Sequence, residues 1–245
     1  MILRHRRSPL TLPFSAAPWI ACGYLLSYLV LDTALFAVVA TVVLVCWALS
    51  LLSLGVPLLI GAALVVRGCA EVERHRTRLF GQRIDSSYLP SPEHGLLAMI
   101  KARWTDPAVL RDCAYLGLLY LPLALLDLAA LVLWLACVAG VTLPLWFWLS
   151  APTWYNGHLE HGVKLGYFPS GPEGRGGIGV FVGDLPTALL MATCFLLLSL
   201  LGALAVVSVA RLHSHLAERL LSPYRDPLAE AKAVLAAPGP LGTLP

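Results

Sequence analysis

Charge is what this chain has least of. Only 13% of its 245 residues are Asp, Glu, Lys or Arg, about half the share of an ordinary soluble domain. The few charges are also unevenly placed. The 49 residues from Pro18 to Val66 contain one, Asp32; the 39 from Ala114 to Pro152 contain one, Asp127; the 26 from Leu185 to Ala210 contain none. A soluble fold needs polar surface to cover its core, and a disordered chain needs low hydrophobicity. With 58% apolar residues and a mean hydropathy of +0.78, the chain is neither. It reads as a multi-span membrane protein.

Other absences narrow the reading. Arg4, Arg6 and Arg7 are followed by Pro9, Pro13 and Pro18 and a long apolar run, with no short apolar segment and cleavage site. That pattern predicts a cytoplasmic tail before an uncleaved first span, not a signal peptide. The six cysteines (Cys22, Cys46, Cys69, Cys113, Cys137, Cys194) all lie in or beside apolar runs. They provide no extracytoplasmic disulfide framework and read as packing residues. No Ser/His/Asp or Cys/His nucleophile set and no complete metal site appears, so the expectation is no enzyme, no cofactor and no metal. The glycine-rich G-R-G-G-I-G at Gly174 to Gly179 follows no predicted strand and lacks the G-K-S/T of a phosphate loop. The net charge of +3 does not indicate nucleic-acid binding, because the basic residues border spans and face lipid headgroups. Arg outnumbers Lys 14 to 3, a bias that suggests a GC-rich bacterial genome.

A spanning helix needs about 20 apolar residues. The first apolar block is long enough for two, broken at Gly55 and Pro57. Spans are predicted at about 18–50, 56–83, 107–141 and 184–221. The third should start at Asp106-Pro107, where Asp caps and Pro suits the first helical position. Leu143 to Leu149, interrupted by Pro144 and rich in Trp, reads as interfacial. Fifteen of the 17 basic residues fall in the N-terminal tail, the middle segment or the C-terminal end; only Lys164 and Arg175 do not. Four spans with both termini in the cytoplasm put all 15 on the positive side. The predicted organisation is a cytoplasmic tail (1–17), a four-span domain (18–222) with a cytoplasmic loop (84–106) and an extracytoplasmic loop (152–183), and a short cytoplasmic tail (223–245). The fold class expected is all-α, an integral membrane four-helix bundle in a bacterial cell membrane.

Two halves of the chain look alike. Each opens a long apolar helix with Cys, a small residue and Tyr, at Cys22 to Tyr24 and Cys113 to Tyr115. Each helix carries one acid, and each half then reaches a proline, in G-V-P-L at Gly55 to Leu58 and T-L-P-L at Thr142 to Leu145. The Tyr-to-Asp offset differs, 8 residues against 12, so the parallel repeat is weak.

These pieces resemble the actinobacterial putative sensor domain, a four-span membrane module. The resemblance rests on R-D-C-A-Y-L-G-L-L-Y-L-P-L at Arg111 to Leu123, L-P-L-W-F-W-L at Leu143 to Leu149 and D-L-P-T-A-L-L at Asp184 to Leu190. A-R-L-H-S-H-L-A-E-R-L-L at Ala210 to Leu221 and the charged exit V-R-G-C-A-E-V-E-R complete it, over about residues 16–222. Members often precede a histidine kinase. Only 24 residues follow Leu221 here, too few for a kinase core. The resemblance therefore implies a sensor that signals through another chain.

Several residues are candidates for function. Asp32 and Asp127 sit inside apolar helices, where a carboxylate costs about 2.5–3.5 kcal/mol on insertion scales. They are read either as a proton- or ligand-responsive pair with Tyr28 and Tyr120, or as structural acids bonded to Tyr28, Tyr120, Ser27 or Thr33. Trp154, Tyr155, His158 and His161 in the outer loop are where an outside stimulus is first met. His158 and His161, at i and i+3, would share a helical face. Their aromatic neighbours suit either the membrane interface or a ligand pocket. Arg74, Arg76, Arg78 and Arg103 are assigned to a cytoplasmic partner surface, in a segment that would otherwise lie along the membrane. His213 and His215 are read as a solvated helix end. The leading function is a non-catalytic sensory or regulatory membrane protein. It would detect an envelope or membrane signal and pass it to a partner in trans, such as a histidine kinase or transporter. The alternative is a lipid or small-molecule carrier or transporter accessory subunit. Membrane lipids are expected partners, nucleic acids are not, and homo-oligomerisation stays open.

Overall fold

A computed structural model describes residues 12, 14–50, 55–85, 88, 95–155, 157–168 and 178–223. Most of the terminal tails (1–11, 13 and 224–245) and the glycine-rich stretch, apart from Ile178 and Gly179, therefore lie outside the described residues. The chain is mostly helical: α1 (Ala17–Ser50), α2 (Gly55–Leu79), α3 (Leu96–Trp104), α4 (Pro107–Cys113), α5 (Tyr120–Val141), α6 (Leu143–Trp146) and α7 (Leu185–Leu221). A π turn, Ala114–Leu118, separates α4 from α5, and a 3-10 turn, Phe147–Leu149, follows α6.

Three of these helices, α1, α5 and α7, are long and apolar enough among the described residues to cross a membrane. The predicted second span is a helix, but its second half carries Arg67, Glu71, Glu73, Arg74, Arg76 and Arg78. The predicted third span is interrupted by the π turn, where Leu119 N–H reaches the carbonyl of Ala114. Its start is built as the sequence predicts. Asp106 caps α4 by accepting from Ala108 N–H at 2.9 Å, and Pro107 takes the first helical position.

The all-α expectation needs correction. The segment after α6 forms two antiparallel hairpins, β1 (Pro152–Tyr155) with β2 (His158–His161), and β3 (Val163–Tyr167) with β4 (Ile178–Val182). The signal was present in T-W-Y, V-K-L-G-Y and I-G-V-F-V, runs of β-branched and aromatic residues beside glycine.

The chain divides into two compact units, each considered by itself. One holds residues up to Val30 together with Pro122–His213; the other holds Leu31–Leu121 together with the residues from Ser214 onward. In the first unit, Ala21, Tyr24, Leu25 and Tyr28 form one buried stripe of α1 at helical spacing. Small residues lie buried on α5 and α7 (Ala130, Gly140, Ala188, Ala203, Ala210), whereas Leu125, Leu128, Leu135, Leu197 and Leu201 are exposed. This distribution suits lipid, which solvates leucine as well as a protein core does, so helices associate through small residues and polar contacts. The α5–α7 approach is close at two glycines. A Cβ on Gly202 would stand 3.3 Å from Cys137 Sγ and 3.4 Å from the Trp134 ring, and one on Gly140 would enter the Phe195 ring. Gly140→Ala should therefore lower stability by about 1–3 kcal/mol through overpacking. A thermal melt of the detergent-solubilised protein measures this, and Phe195→Leu in the same chain should recover part of the loss.

In the second unit, α2 presents Ala62, Ala63, Val66, Cys69 and Ala70 as a buried stripe that continues into Glu73, Arg74 and Thr77. Trp104 on α3 donates its indole N–H to the Leu59 carbonyl at 3.0 Å. Arg67 pairs with the capping Asp106 at 2.9 Å, so one carboxylate holds both a helix start and a neighbouring helix.

Candidate functional site

The first unit contains a polar cluster among apolar helices. Asp127 on α5 and His213 on α7 are both fully buried, and His213 Nδ1 lies 3.0 Å from Asp127 Oδ2. Two tyrosines of α1 enclose the imidazole. The Tyr28 ring meets it edge-on at 3.9 Å between centroids, and Tyr24 does the same at 5.6 Å. Three helices thus supply an acid, a base and two aromatic walls. The second oxygen of Asp127, Oδ1, is buried with no hydrogen-bond partner among the described residues. A buried acceptor normally finds a donor, and one that does not is a place for a proton, a water or a ligand group. With one shared proton the pair is neutral overall; without it, a net negative charge is left in a medium that solvates it poorly.

The second unit holds an arginine-centred network. Arg74 is 2% exposed. Its Nε donates to the Leu221 carbonyl at 3.1 Å, Nη1 to Glu71 at 3.1 Å and Tyr88 at 2.7 Å, and Nη2 to Asp112 at 2.8 Å. Tyr88 in turn donates to the other oxygen of Asp112 at 2.8 Å. The guanidinium of Arg67 lies over the Tyr88 ring at 4.2 Å, a cation–π contact. Beside this hub, Arg76 grips Glu73 with two bonds of 2.6 Å, and Tyr115 donates to the same carboxylate at 3.0 Å. Each buried arginine has its own buried acid, so the network carries no net buried charge. Burial pushes the Asp112 carboxyl up to about 6 although Arg74 pulls it down. Burial and the nearby Asp112 also raise the Tyr88 phenol.

The expected site residues are distributed differently from the sequence reading. Asp32 is buried in α1 and belongs to the second unit, as does Tyr120, whose hydroxyl meets Thr33 at 2.7 Å and whose ring stacks on Phe36. Asp127 and Tyr28 are brought together in the first unit, with His213 as the link. His213 is not a solvated helix end; only His215, two residues on, is exposed. Arg74 and Arg76 are turned inward by their ion pairs, so Arg78 is the exposed member of the expected partner surface and Arg103 is half-buried. The four residues expected in an outer loop do not converge either. In the β1–β2 register Trp154 and His161 share one face, and Tyr155 and His158 share the other. His158 and His161 point to opposite faces because a strand repeats every two residues, not every three or four.

The sequence reading missed His213, Asp112, Glu73 and Tyr88 as partners. Helical phase was the available signal for two of them. His213 falls on the Ala203, Val206, Val207, Ala210 stripe, and Glu73 follows Ala62, Val66 and Cys69 on α2. Among the described residues no cluster of three or more His, Cys, Asp or Glu has metal-binding geometry.

The family described as "Putative sensor" matches residues 24–221. The chain belongs to this family. The match runs from Tyr24 to Leu221, so both polar clusters of this sensor-family protein lie inside it, with Leu221 itself the acceptor for Arg74. No curated protein and no solved structure matches the chain.

Proposed function

We propose that this sensor-family membrane protein is a non-catalytic sensory subunit whose input is the occupancy of the Asp127–His213 pair. The observation that carries this is a fully buried acid–base pair, walled by Tyr24 and Tyr28, with one carboxylate oxygen still open. An ionisable pair inside apolar helices is expensive to keep for packing alone, and three helices meet on it. Gain or loss of a proton, or arrival of a polar ligand, changes the pair's charge and so the preferred packing of α1, α5 and α7. α7 also carries Leu221, the acceptor for Arg74, and the α2 network is the output we assign. A separate chain such as a histidine kinase would read it. The proposed topology keeps four crossings, with α2 as the second, both termini in the cytoplasm and the hairpins outside.

The test is purification from native membranes in mild detergent, with identification of everything retained, for wild type and Asp127→Asn. Asn keeps the shape and a hydrogen bond to His213 but cannot change charge. A retained kinase or transporter whose activity is altered at least about 5-fold by Asp127→Asn, at unchanged membrane levels, supports the proposal. A retained lipid or small molecule with no protein partner supports carriage instead. Unaltered partner output in Asp127→Asn and in the Asp32→Asn, Asp127→Asn double variant removes the acids from the mechanism.

A further inference from the structure

The first hairpin has two unlike faces. Tyr155 stacks on Phe181 of the second hairpin, with ring centroids 4.2 Å apart and nearly parallel, so Tyr155 is half-buried while His158 and Glu160 on the same face stay exposed. Lys164 Nζ reinforces the junction by donating to the Trp154 carbonyl at 2.7 Å. His161 Nδ1, 2.9 Å from the Ser150 carbonyl, ties the hairpin to the end of the 3-10 turn. The opposite face carries the cross-strand pair Trp154 and Leu159, which are 52% and 58% exposed. An apolar pair directly opposed across a hairpin is normally a buried contact. Here both side chains remain more than half exposed.

We propose that this face lies in the lipid bilayer, at the boundary between headgroups and acyl chains, together with Leu145, Trp148 and Leu149. Three observations choose lipid over another occupant. The segment is bracketed by two helices long and apolar enough to cross a membrane, with α6 beginning two residues after α5 ends and β4 ending three residues before α7 begins. It therefore leaves and re-enters the same side of the bilayer within a short stretch of chain. The exposed apolar flank of α5, at Leu133 and Leu135, and of α7, at Leu185 and Leu189, is joined in sequence to Leu145, Trp148 and Leu149, which are themselves exposed. The interface is thus a continuation of the lipid-facing surface of the spans. The residues are tryptophan and leucine, and Trp148 satisfies its indole N–H on the Leu145 carbonyl at 3.1 Å. Tryptophan with a satisfied amphipathic ring is the side chain that concentrates at membrane interfaces. The other face keeps Thr153, Tyr155, His158 and Glu160 together, and His161, which shares the Trp154 face, has its ring tied to the Ser150 carbonyl, so the hairpin is amphipathic across its two faces, as a lipid-seated element must be. The inference uses the membrane spans only and stands whether or not the Asp127–His213 pair is the sensory input.

The test uses the full chain in phosphatidylcholine nanodiscs, where both bilayer faces are accessible to solutes. Part of the lipid is replaced by phosphatidylcholine brominated near the headgroup end of its acyl chains. The contribution of Trp154 is the difference between wild type and Trp154→Phe, and Trp148→Phe gives that of Trp148. The brominated lipid should quench the Trp154 signal at least about twofold, while aqueous iodide leaves it nearly unchanged, as for an interfacial indole. Leu159→Glu should reduce this lipid quenching without altering that of the remaining tryptophans, which also covers the case in which Trp154→Phe does not fold. Iodide quenching of Trp154 without lipid quenching places the face in water and overturns the proposal. Protection from both quenchers means that protein covers the face, a second copy or another partner, and overturns it equally.

Discussion

Arg74→Met should cost about 3–5 kcal/mol of stability, the range for removing one partner of a buried ion pair. The variant loses the bonds to Leu221, Glu71 and Tyr88 along with the one to Asp112. Most of the cost is the Asp112 carboxylate, left at 0% exposure without its cation. Lysine should not rescue the loss. Arg74 uses Nε, Nη1 and Nη2 in three directions, and a single ammonium on a flexible stem cannot reproduce that fork. The double variant Arg74→Met, Asp112→Leu should be more stable than Arg74→Met alone, because it buries no charge. The deficit is also pH-dependent, with a definite sign. The folded pKa of Asp112 is raised from 3.8 to about 6, so the folded chain holds that proton more tightly than the unfolded chain. Its contribution therefore improves as the pH falls through the folded value and is complete below the unfolded one. Removing Arg74 takes away the group that pulls the Asp112 pKa down. The Arg74→Met deficit should accordingly be largest near about pH 8 and smaller near about pH 5. Thermal melts of wild type and variant in the same detergent at both values measure it, and an equal deficit at both would show that Asp112 is not the group left stranded.

His213→Phe should cost a similar about 3–5 kcal/mol, because Asp127 then loses its hydrogen-bond partner among the described residues at a fully buried position. Phenylalanine preserves the ring between Tyr24 and Tyr28, so lost packing contributes little. Asp127→Asn should cost no more than about 1.5 kcal/mol, since the amide oxygen still accepts from the imidazole. The combination His213→Phe, Asp127→Leu should again be milder than His213→Phe alone. This ordering separates a charge effect from a volume effect. If His213→Phe and Asp127→Asn destabilise equally, the pair acts as an ordinary hydrogen bond, and the sensory role assigned to it loses its physical basis.

The long apolar runs of α1, α5 and α7 could be read directly, because lipid demands about 20 apolar residues and leaves a hydropathy signal that needs no partner. The cap at Asp106 was equally local, whereas the break predicted at Gly55 and Pro57 adjoins residues 51–54, outside the described residues. The hairpins were not anticipated, although Trp154, Val163 and Ile178 carry strand propensity. In a chain so rich in leucine, a short strand stands out weakly, and a segment between spans is easily taken for a loop. The site was legible only in part. Asp127 announced itself as the single charge in a long apolar stretch. His213 did not, because Arg211, Glu218 and Arg219 nearby made the helix end look solvated, and only the phase of the α7 stripe turns it inward. Arg74 and Arg76 misled for the converse reason. A run of charges usually marks a wet face, yet Asp112, the acid that claims Arg74, is identified only when α2 and α4 are placed together, and Glu73 claims Arg76 from one turn away on the buried side of α2 itself.

The π turn between α4 and α5 fixes more than a bend. In an uninterrupted helix each residue advances the side chains by about 100°, so a surplus residue absorbed at Ala114–Leu118 lets the segments on its two sides keep separate rotational settings. Asp112 before the turn is timed to Arg74, and Tyr120 after it is timed to Thr33 and Phe36. Deleting one residue there, Gly117 for example, removes a residue that is neither charged nor fully buried, yet leaves no rotation of the rod that serves both appointments. The segment works as a splice between two reading frames of one helix. A hydropathy profile of the chain would pass over its loss without a trace.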